Sequence, residues 1–332
     1  MRTRRTAAAI AAFATAAVLV AGCSDSGGKG SEEKPDEGGK GGKVSGPKLT
    51  IAMVTHSGKG DAFWDIVQKG AQAAADKDNV EFLYASDDQA QQQAQHVQSY
   101  IDKKVDGIIV TLAKPEAMKD VLAKAKAAGI PVVTINSGGQ FSKEYGALNH
   151  IGQDESVAGE AVGAELGKTN RKKALCVIHE QGNVSLEDRC AGVKKAFGGA
   201  TENINVPGTD MPQTQSQIAA KLQATDDIDA IVTLNAGIAE AAIKAKADSG
   251  SKAEVSTFDL NEAVTEQMKN KAITFAVDQQ PYLQGYLAVD GLWLYKTNLN
   301  VIGGGQQVLT GPAIVTEKDV PQLEKLAKNG TR

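Results

Sequence analysis

The amino-acid sequence predicts an α/β protein built as two Rossmann-like lobes, each with a parallel sheet flanked by helices. Short apolar runs alternate with segments whose apolar residues recur at helical spacing, as in βα units. This alternation stops near the middle of the chain and then starts again, so two series of similar size follow one another. A length of 332 residues with 42% hydrophobic residues is enough for two cores.

The first series begins at Lys48, where a polar segment gives way to a buried strand predicted at 49–55. Asp61 can cap the helix that follows, and Pro115 and Gly129 fit the first turn and the stop of a later helix. Strands alternating with single helices imply a parallel sheet covered on both faces. The other elements predicted here are strands at 80–86, 107–111 and 131–135 and a helix over 90–101.

The second series starts after a short extended piece at 145–151. Asp154 can cap its first helix, which ends at Gly167. The last helix, over 282–294, and a final strand near 313–316 give the chain enough material to cross between the lobes more than once. Between them the pattern predicts strands at 174–178, 229–234, 253–258 and 272–277, with helices near 187–197, 236–247 and 261–268.

Domain boundaries follow from this order of elements. We predict a signal peptide over residues 1–22 and a flexible tether over residues 23–47. The N-terminal lobe is predicted to combine residues 48–151 with 280–304, and the C-terminal lobe to combine residues 152–279 with 305–332. The chain would then pass between the lobes at three hinge crossings.

The N-terminus predicts export. Arg2, Arg4 and Arg5 precede an apolar run over 7–20 that is short for a membrane span. Val20-Ala-Gly-Cys23 resembles the lipobox of bacterial lipoproteins, which implies a lipid on Cys23 and a location on the outer face of the cytoplasmic membrane. Plain secretion with a coincidental cysteine is the alternative. Residues 24–47 are rich in Gly, Ser, Lys and Glu and predict the tether.

The charge of the chain argues against nucleic acid as a partner. The formal net charge is −4, and removal of residues 1–22, which carry three arginines and no acid, makes it −7. An acidic body repels phosphate backbones, so nucleic-acid binding is not expected.

Polar side chains follow the predicted strands of both series. In an open α/β sheet the loops after parallel strands meet at one edge, where ligands bind. We expect these edges to face a crevice between the two lobes. The candidate ligand-binding residues are His56, Phe63, Trp64, Asp87 and Asp88 from the first series, and Arg189, Asn235, Asp259 and Gln279 from the second.

This set of side chains is typical of a sugar site. Carboxylates and amides can bond two neighbouring hydroxyls, a guanidinium offers a fork of donors, and an aromatic face packs on the apolar side of a sugar ring. Each neutral hydrogen bond contributes about 0.5–1.5 kcal/mol, and each bond to a charged group about 1.5–3 kcal/mol. Several such bonds in a closed cleft predict micromolar or tighter binding of a monosaccharide or polyol.

The ordered set of these residues resembles a known family. Asn235, Asp259, the segment 278–285 and Arg189-Cys-Ala-Gly192 are similar to signature positions of the class I periplasmic sugar-binding proteins of the ribose- and galactose-binding type. The resemblance covers roughly residues 48–318. It implies two lobes that close on a sugar, an ABC permease as partner, and a monomer. It also implies that Arg189, Asn235, Asp259 and Gln279 hold sugar hydroxyls.

The sequence leaves some of these assignments open. Phe63 and Trp64 are adjacent and point about 100° apart on a helix, so one of them is expected in the core. Of Asp87 and Asp88, one can serve only as a cap of the next helix. Structural alternatives also exist for three further residues, as a surface arginine or as helix caps: Arg189, Asn235 and Asp259.

Other motifs give weaker signals. Gly58-Lys-Gly60 matches neither of the nucleotide-binding glycine patterns, and no cofactor is expected. The four histidines show no metal-ligand spacing, so no metal site is expected, and His56 is the histidine expected to touch ligand. Cys176 and Cys190 predict a disulfide in an exported protein, with two buried thiols as the alternative.

The predicted function is capture of a sugar or sugar-like polyol and its delivery to an ABC permease by hinge closure. No catalysis is required for this function. A sensory binder that presents the ligand to a membrane receptor is an alternative. An exported glycosidase is a third, because Asp88 and Asp259 could face each other across one bond. A repressor of the same fold would need an N-terminal helix-turn-helix, and a predicted signal peptide and tether occupy that place.

Overall fold

The computed structural model describes residues 48–58 and 60–332. The predicted signal peptide, Cys23 and the tether lie outside these residues. No helix in the described part of the chain is both long and apolar enough to cross a membrane. The described residues form two α/β lobes, each built on a six-stranded sheet.

The first lobe contains six strands: β1 (Thr50–Thr55), β2 (Glu81–Ser86), β3 (Gly107–Val110), β4 (Val132–Ile135), β5 (His150–Gly152) and β11 (Val308–Leu309). Their order in the sheet is β11-β5-β4-β3-β1-β2, and all neighbouring pairs are parallel. The helices of this lobe are α1 (Ala62–Asp78), α2 (Ala90–Asp102), α3 (Pro115–Ala127), the short α4 (Gly139–Ser142) and α10 (Pro281–Asn298). Apolar clusters on both faces of the sheet form the core, as a parallel sheet requires.

The second lobe repeats this plan with strands β6 (Lys173–Ile178), β7 (Ala200–Asn205), β8 (Ala230–Thr233), β9 (Glu254–Phe258), β10 (Ile273–Asp278) and β12 (Ala313–Val315). Their order is β12-β10-β9-β8-β6-β7, and only the β10/β12 pair is antiparallel. The helices are α5 (Glu155–Gly167), α6 (Val184–Phe197), α7 (Met211–Ala224), α8 (Ala236–Ser249), α9 (Glu262–Lys269) and α11 (Val320–Lys328). Two apolar clusters again cover the faces of the sheet.

The chain passes between the lobes three times. It leaves the first sheet after β5, returns between β10 and α10, and leaves again between β11 and β12. The predicted boundary at residue 305 is wrong at the third crossing. Val308 and Leu309 pair with Ile151 and Gly152 of the first sheet, so residues 305–309 belong with the N-terminal lobe.

Several elements have no counterpart in the predicted series. Between the strands predicted at 174–178 and 229–234 only one helix is predicted, whereas the structure adds β7 and α7 there. It also missed α11 and the two-residue β11. β7 is an edge strand whose residues are mostly exposed or half-buried, so it lacks the continuous apolar run that marks a buried parallel strand.

Two glycines allow α5 and α6 to pack in close contact. A Cβ atom at Gly159 would lie 2.1 Å from the carbonyl oxygen of Arg189, and one at Gly192 would lie 2.4 Å from that of Ser156. Real side chains do not fit at these distances, so both positions require glycine. This close packing fixes the helix that carries Arg189 against the start of α5.

The structure joins Cys176 of β6 to Cys190 of α6 by a disulfide, with a Cα–Cα distance of 5.9 Å and both residues buried. The bond closes a loop of about 15 residues. On the chain-entropy model, replacing both cysteines by alanine is expected to lower the free energy of unfolding by about 3 kcal/mol, because the unfolded chain gains freedom. Urea unfolding of the double variant and the wild type measures this difference.

Peptide mass mapping provides a direct check of the bond. Alkylation in denaturant without reductant is expected to leave Cys176 and Cys190 unmodified, and alkylation after reduction should label both. Labelling of both residues without reductant would show that they are free thiols. Equal stability of the double variant and the wild type would contradict the expected contribution of the bond.

Candidate ligand-binding site between the lobes

An inner chamber with a volume of about 30 Å³ lies between the lobes. It opens into an outer groove with a volume of about 950 Å³. The chamber is lined by residues at or just after strands β1, β4, β6, β8, β9 and β10 and by the first turns of α1 and α6. Seven residues line both the chamber and the groove, which form one continuous space: His56, Asp61, Phe63, His179, Glu180, Asn235 and Asp259.

Arg189 lies in the wall of the inner chamber and is only 3% exposed. Its Nε and Nη2 donate to the two carboxylate oxygens of Glu155, at 2.6 and 3.0 Å, and its Nη1 donates to the carbonyl of Leu234 at 3.1 Å. The guanidinium also stacks over the ring of Phe258, with 4.6 Å from Cζ to the ring centre. A guanidinium has five N–H groups, so two are not used by these bonds and can donate to a ligand.

Acidic neighbours stabilise the buried charge on Arg189, and Glu155 contributes most. Burial opposes the charge, but the attraction and hydrogen bonds of Glu155 outweigh it and raise the pKa of Arg189 above its usual value. Glu155 is itself buried and also accepts a hydrogen bond from Gln153 Nε2 at 2.8 Å. Glu155 is not among the predicted site residues, because it begins a helix next to Asp154, whose role as the cap is the stronger signal.

Asp259, Gln279 and Asn136 form a hydrogen-bonded chain in the chamber. Gln279 Nε2 donates to Asp259 Oδ1 at 2.7 Å, and Asn136 Nδ2 donates to Gln279 Oε1 at 3.0 Å. Asn136 belongs to the first lobe and Asp259 to the second, while Gln279 lies at a crossing between them. The chain therefore couples the two lobes beside the hinge.

Burial raises the pKa of Asp259 to about 7, and the opposing attraction of Arg189 only partly offsets this effect. The carboxyl is thus close to half protonated at neutral pH. The residue has a φ of +69°, a left-handed conformation that is uncommon outside glycine, asparagine and aspartate. This backbone turn directs the chain out of β9 and into the loop before α9.

Asp61 and Asn235 bridge the lobes on the groove side of the chamber. Asp61 caps α1 by accepting from Phe63 N at 3.0 Å, and Asn235 caps α8 by accepting from Gly237 N at 2.7 Å. Asn235 Nδ2 also donates to Asp61 Oδ1 at 3.3 Å across the cleft. Burial raises the pKa of Asp61. The cap that the sequence suggested for Asn235 is present, and the residue lines the chamber as well.

His56 makes a second contact between the lobes. Its Nδ1 lies 2.8 Å from Thr111 Oγ1 in its own lobe, and its Nε2 lies 3.3 Å from Asn183 Nδ2 and 3.6 Å from Glu180 Oε2 in the other. Burial lowers the pKa of His56 to about 4, so the ring is neutral at neutral pH and does not form a charged pair with Glu180. Burial lowers the pKa of His179 to about 4 as well.

The aromatic pair after β1 is shared between core and chamber. Both Phe63 and Trp64 are buried and both line the chamber, and their rings meet edge to face with centroids 5.1 Å apart. Trp64 also contacts the ring of His56 edge to face at 5.0 Å. Both side chains therefore belong to the core of the first lobe as well as to the chamber wall. Phe63 reaches further, because it also lines the outer groove.

Asp87 and Asp88 lie outside the chamber, and Asp87 has the helix-start role that the sequence left open for one of the pair. Asp87 lines neither the chamber nor the groove and accepts from the backbone N–H of Gln89 at 2.8 Å. Asp88 is exposed and lines only the outer groove. The physical reason is the position of β2 at the edge of the sheet, which places the following loop away from the centre of the cleft. From the first lobe, Asp61 is the carboxylate that reaches the chamber.

The other predicted residues line the chamber together: His56, Arg189, Asn235, Asp259 and Gln279. Sequence reasoning missed several residues of its lining. Asn136 and Ser137 follow β4 directly, and the rule that loops after parallel strands collect at one edge could have identified them. His179, Glu180 and Asn183 follow β6 in the same way.

The chemistry of this chamber is that of hydrogen-bond recognition. Charged and amide groups from both lobes converge on one small space, and aromatic rings form part of its wall. Within the described residues, no group of three His, Cys, Asp or Glu side chains is arranged to hold a metal ion. The fold and the interlobe chamber together define a two-lobed solute-binding protein.

Comparison with known proteins agrees with this class. Residues 51–298 match the family model described as a periplasmic binding protein domain, and the chain belongs to this family. The fold class is confirmed, and the chain belongs to a family of binding proteins and not of enzymes.

Solved structures of related proteins cover most of the chain. A carbohydrate transporter from Acidothermus cellulolyticus 11B, solved in complex with myo-inositol, is 48% identical, with a TM-score of 0.85; the match covers 86% of this chain and all of that one. A solute-binding protein of an ABC transporter from Burkholderia graminis C4D1M, solved with D-arabinose, is 25% identical, with a TM-score of 0.74 and coverage of 82% and 96%.

More distant sequence relatives are sugar-binding proteins by name. The ribose import binding protein of Bacillus subtilis strain 168 is 25% identical over 236 residues, which is 69% of this chain and 75% of that protein. The xylose/arabinose-binding protein of Sulfolobus acidocaldarius is 24% identical over 217 residues, which is 60% of this chain. The match spans 54% of the length of that relative.

Proposed function

We propose that this protein captures a sugar or polyol outside the cytoplasm and delivers it to an ABC permease by closure of its two lobes. The observation that carries this proposal is the convergence in one chamber of Arg189 and Asp259 from one lobe with Asp61 and Asn136 from the other, and with Gln279 at the crossing between them. Such a set can bond several hydroxyls at once only when the lobes are together. Ligand binding would therefore favour the closed form.

A cyclic polyol of the myo-inositol type is the first ligand to test. The 48% identical protein was solved with myo-inositol, and the relatives at lower identity bind pentoses by name. A cyclitol presents hydroxyls around its whole ring and has no ring oxygen or aldehyde to distinguish its ends. The chamber of about 30 Å³ has room for only about one or two waters, so the ring would extend from it into the groove. This joint space has donors and acceptors on all sides, and the carboxyl of Asp259, whose pKa burial raises to about 7, can donate as well as accept.

Closure would use the contacts already present between the lobes. Asn235 donates to Asp61, and Val184 N donates to the carbonyl of Ala113 at 3.0 Å. Gly138 N also donates to Ser185 Oγ, and Gln140 Nε2 donates to Asp188 Oδ2. Neutral bonds of this kind contribute about 0.5–1.5 kcal/mol each, so a ligand that bonds to both lobes adds to the stability of the closed form. The permease would then recognise the closed form.

The lipid anchor is a further part of the proposal. A lipid on Cys23 and a tether over residues 23–47 would hold the two lobes at the outer face of the membrane.

A sensory role is the second candidate function, because a membrane receptor could bind the same closed form. Cells lacking the protein should lose uptake of labelled myo-inositol if it serves transport. Retained uptake with a lost response to the ligand would favour the sensory role.

Isothermal titration calorimetry with myo-inositol, D-ribose, D-arabinose and D-glucose tests the binding function. We expect one ligand to bind one to one with micromolar or tighter affinity. Asn235→Ala should weaken that affinity about fivefold, since it removes one neutral hydrogen bond. Asn270→Ala, at an exposed asparagine that ends α9, is the matched control and should bind like wild type. A folded protein that binds none of these ligands would overturn the proposed function.

A further inference from the structure

Three carboxyl groups lie at the junction where the inner chamber opens into the outer groove. They belong to Asp61, Glu180 and Asp259, which line both spaces. The two histidines of this junction carry no charge at neutral pH, because burial lowers the pKa of His56 and of His179 to about 4. Among the described residues, the junction therefore contains three acids and no cation.

The neighbouring positive charges do not balance these three acids. Arg189 faces the chamber, but Glu155 accepts two hydrogen bonds from it and balances its charge. Lys114 lines the groove and not the chamber, and its Nζ donates to the carbonyl oxygen of Asp88 at 3.3 Å. Lys244 is exposed and also lines only the groove. The described cations therefore leave an excess of negative charge at the junction.

The carboxyl groups of the junction repel one another. Burial raises the pKa of Asp61, and the negative charge of Glu180 raises it further. Burial also raises the pKa of Asp259 to about 7, and the charge of Asp61 adds to that rise. Asp259 is only 4% exposed, and among the described residues its side chain accepts one hydrogen bond, from Gln279 Nε2 to Oδ1. Its Oδ2 is therefore free to accept from a ligand.

From these observations we infer that the junction binds a protonated amine, and that the ligand is a polyhydroxylated ring with one amino group, as in an aminocyclitol or an amino sugar. The inference rests on the proposed function and narrows its ligand class. The ring would lie mainly in the groove of about 950 Å³, since the chamber of about 30 Å³ has room for only about one or two waters.

An ammonium group suits the junction better than a hydroxyl group does. It has three N–H donors, one for each of three carboxyl groups, whereas a hydroxyl has a single donor. Its positive charge also offsets the repulsion between the carboxylates, which a neutral group leaves in place. Hydrogen bonds between charged partners are shorter and stronger than neutral ones. A ligand amine would therefore stabilise all three carboxyl groups in their ionised form.

Calorimetry with scyllo-inositol and 1-amino-1-deoxy-scyllo-inositol tests the inference on the purified protein at neutral pH. All hydroxyls of scyllo-inositol are equivalent, so the amine can take any position around the ring without a change in the other groups. We expect the amine to bind at least about tenfold more tightly than scyllo-inositol, because charge-assisted hydrogen bonds to carboxylates replace neutral ones.

Asp61→Asn tests whether the charge of the junction causes this preference. Asparagine also caps helices well, so α1 should keep its start while the junction loses one negative charge. The preference for the amine over scyllo-inositol should fall at least about fivefold. Asp65→Asn, at an exposed carboxylate on α1 that lines neither space, is the matched control and should leave the preference unchanged.

The outcomes separate the inference from the proposed function. If scyllo-inositol or myo-inositol binds and the amine binds no more tightly, the inference is overturned, while the proposed function stands. Binding of the amine alone would support the inference and narrow the ligand class to amines. An unchanged preference in Asp61→Asn would overturn the assignment of the amine to this junction. If neither the inositols nor the amine bind, the proposed cyclitol ligand fails and the inference fails with it.

Discussion

Arg189→Ala is expected to reduce ligand affinity by about a hundredfold and to destabilise the protein. The affinity falls because the variant removes a charged donor from a buried site, which is worth about 2–3 kcal/mol. Stability falls because Glu155, whose carboxylate accepts two hydrogen bonds from Arg189, is left buried without its partner. Breaking a buried pair from one side costs about 3–5 kcal/mol. Calorimetry and urea unfolding measure the two effects.

A double variant separates binding from stability. Arg189→Met with Glu155→Leu removes both charges and keeps similar volumes, and such replacements of buried pairs are often neutral or stabilising. The double variant should therefore regain most of the lost stability without regaining ligand affinity. Recovered affinity in the double variant, or wild-type affinity within twofold in Arg189→Ala, would remove Arg189 from the binding site.

Much of the fold was predictable because buried parallel strands have a recognisable sequence pattern. Strands such as β3 and β8 are buried on both faces and read as continuous apolar runs. The helices between them carry recognisable starts, such as Asp154, whose side chain does accept from Val157 N. β7 and α7 lack both signals. The strand has exposed residues at both ends, and the helix is rich in glutamine and has few apolar positions.

The site residues were predictable where the rule that loops after parallel strands meet at one edge of the sheet could be applied without knowledge of strand order. Asp259 and Gln279 follow β9 and β10, which lie inside the sheet, and both line the chamber. Asp87 and Asp88 satisfy the same rule in sequence but follow β2, which is an edge strand. Strand order results from the packing of the whole lobe and cannot be read from one strand.

Residues with two roles were the hardest to identify. Asp61 caps α1, which the sequence indicated, and it also accepts from Asn235 of the other lobe, which depends on how the lobes meet. Glu155 is predictable as a first-turn acid of α5, but its pairing with Arg189 depends on the close contact of α5 with α6. Contacts between distant parts of the chain leave no local pattern.

Asp259→Asn is expected to weaken ligand binding and to stabilise the free protein at neutral and alkaline pH. The binding loss follows from replacing a group that can be charged by a neutral amide, and should be about tenfold or more. The stability gain follows from burial, because an ionised carboxylate at this position is poorly solvated. Asparagine suits the φ of +69° and can still accept from Gln279 Nε2 through Oδ1.

The gain in stability of Asp259→Asn over wild type should increase with pH. The folded-state pKa of Asp259 is raised to about 7, whereas an unfolded aspartate has a pKa of about 3.9. Between these values the folded protein holds a proton that the unfolded chain has released, so wild type loses stability as the pH rises from about 4 to about 7. Three pH units correspond to about 4 kcal/mol, which sets the largest expected difference between variant and wild type.

Urea unfolding of both proteins at several pH values between 4 and 9 measures this difference. The difference in the free energy of unfolding between variant and wild type should be near zero at pH 4, rise up to about pH 7 and then stay constant. Because both proteins contain the same buried histidines, the titration of those histidines cancels in this difference. Asp88→Asn, at an exposed carboxylate in the groove, is the matched control and should show no pH-dependent gain. A difference that is constant from pH 4 to pH 9 would mean that Arg189 and Gln279 stabilise the ionised carboxylate as well as water does.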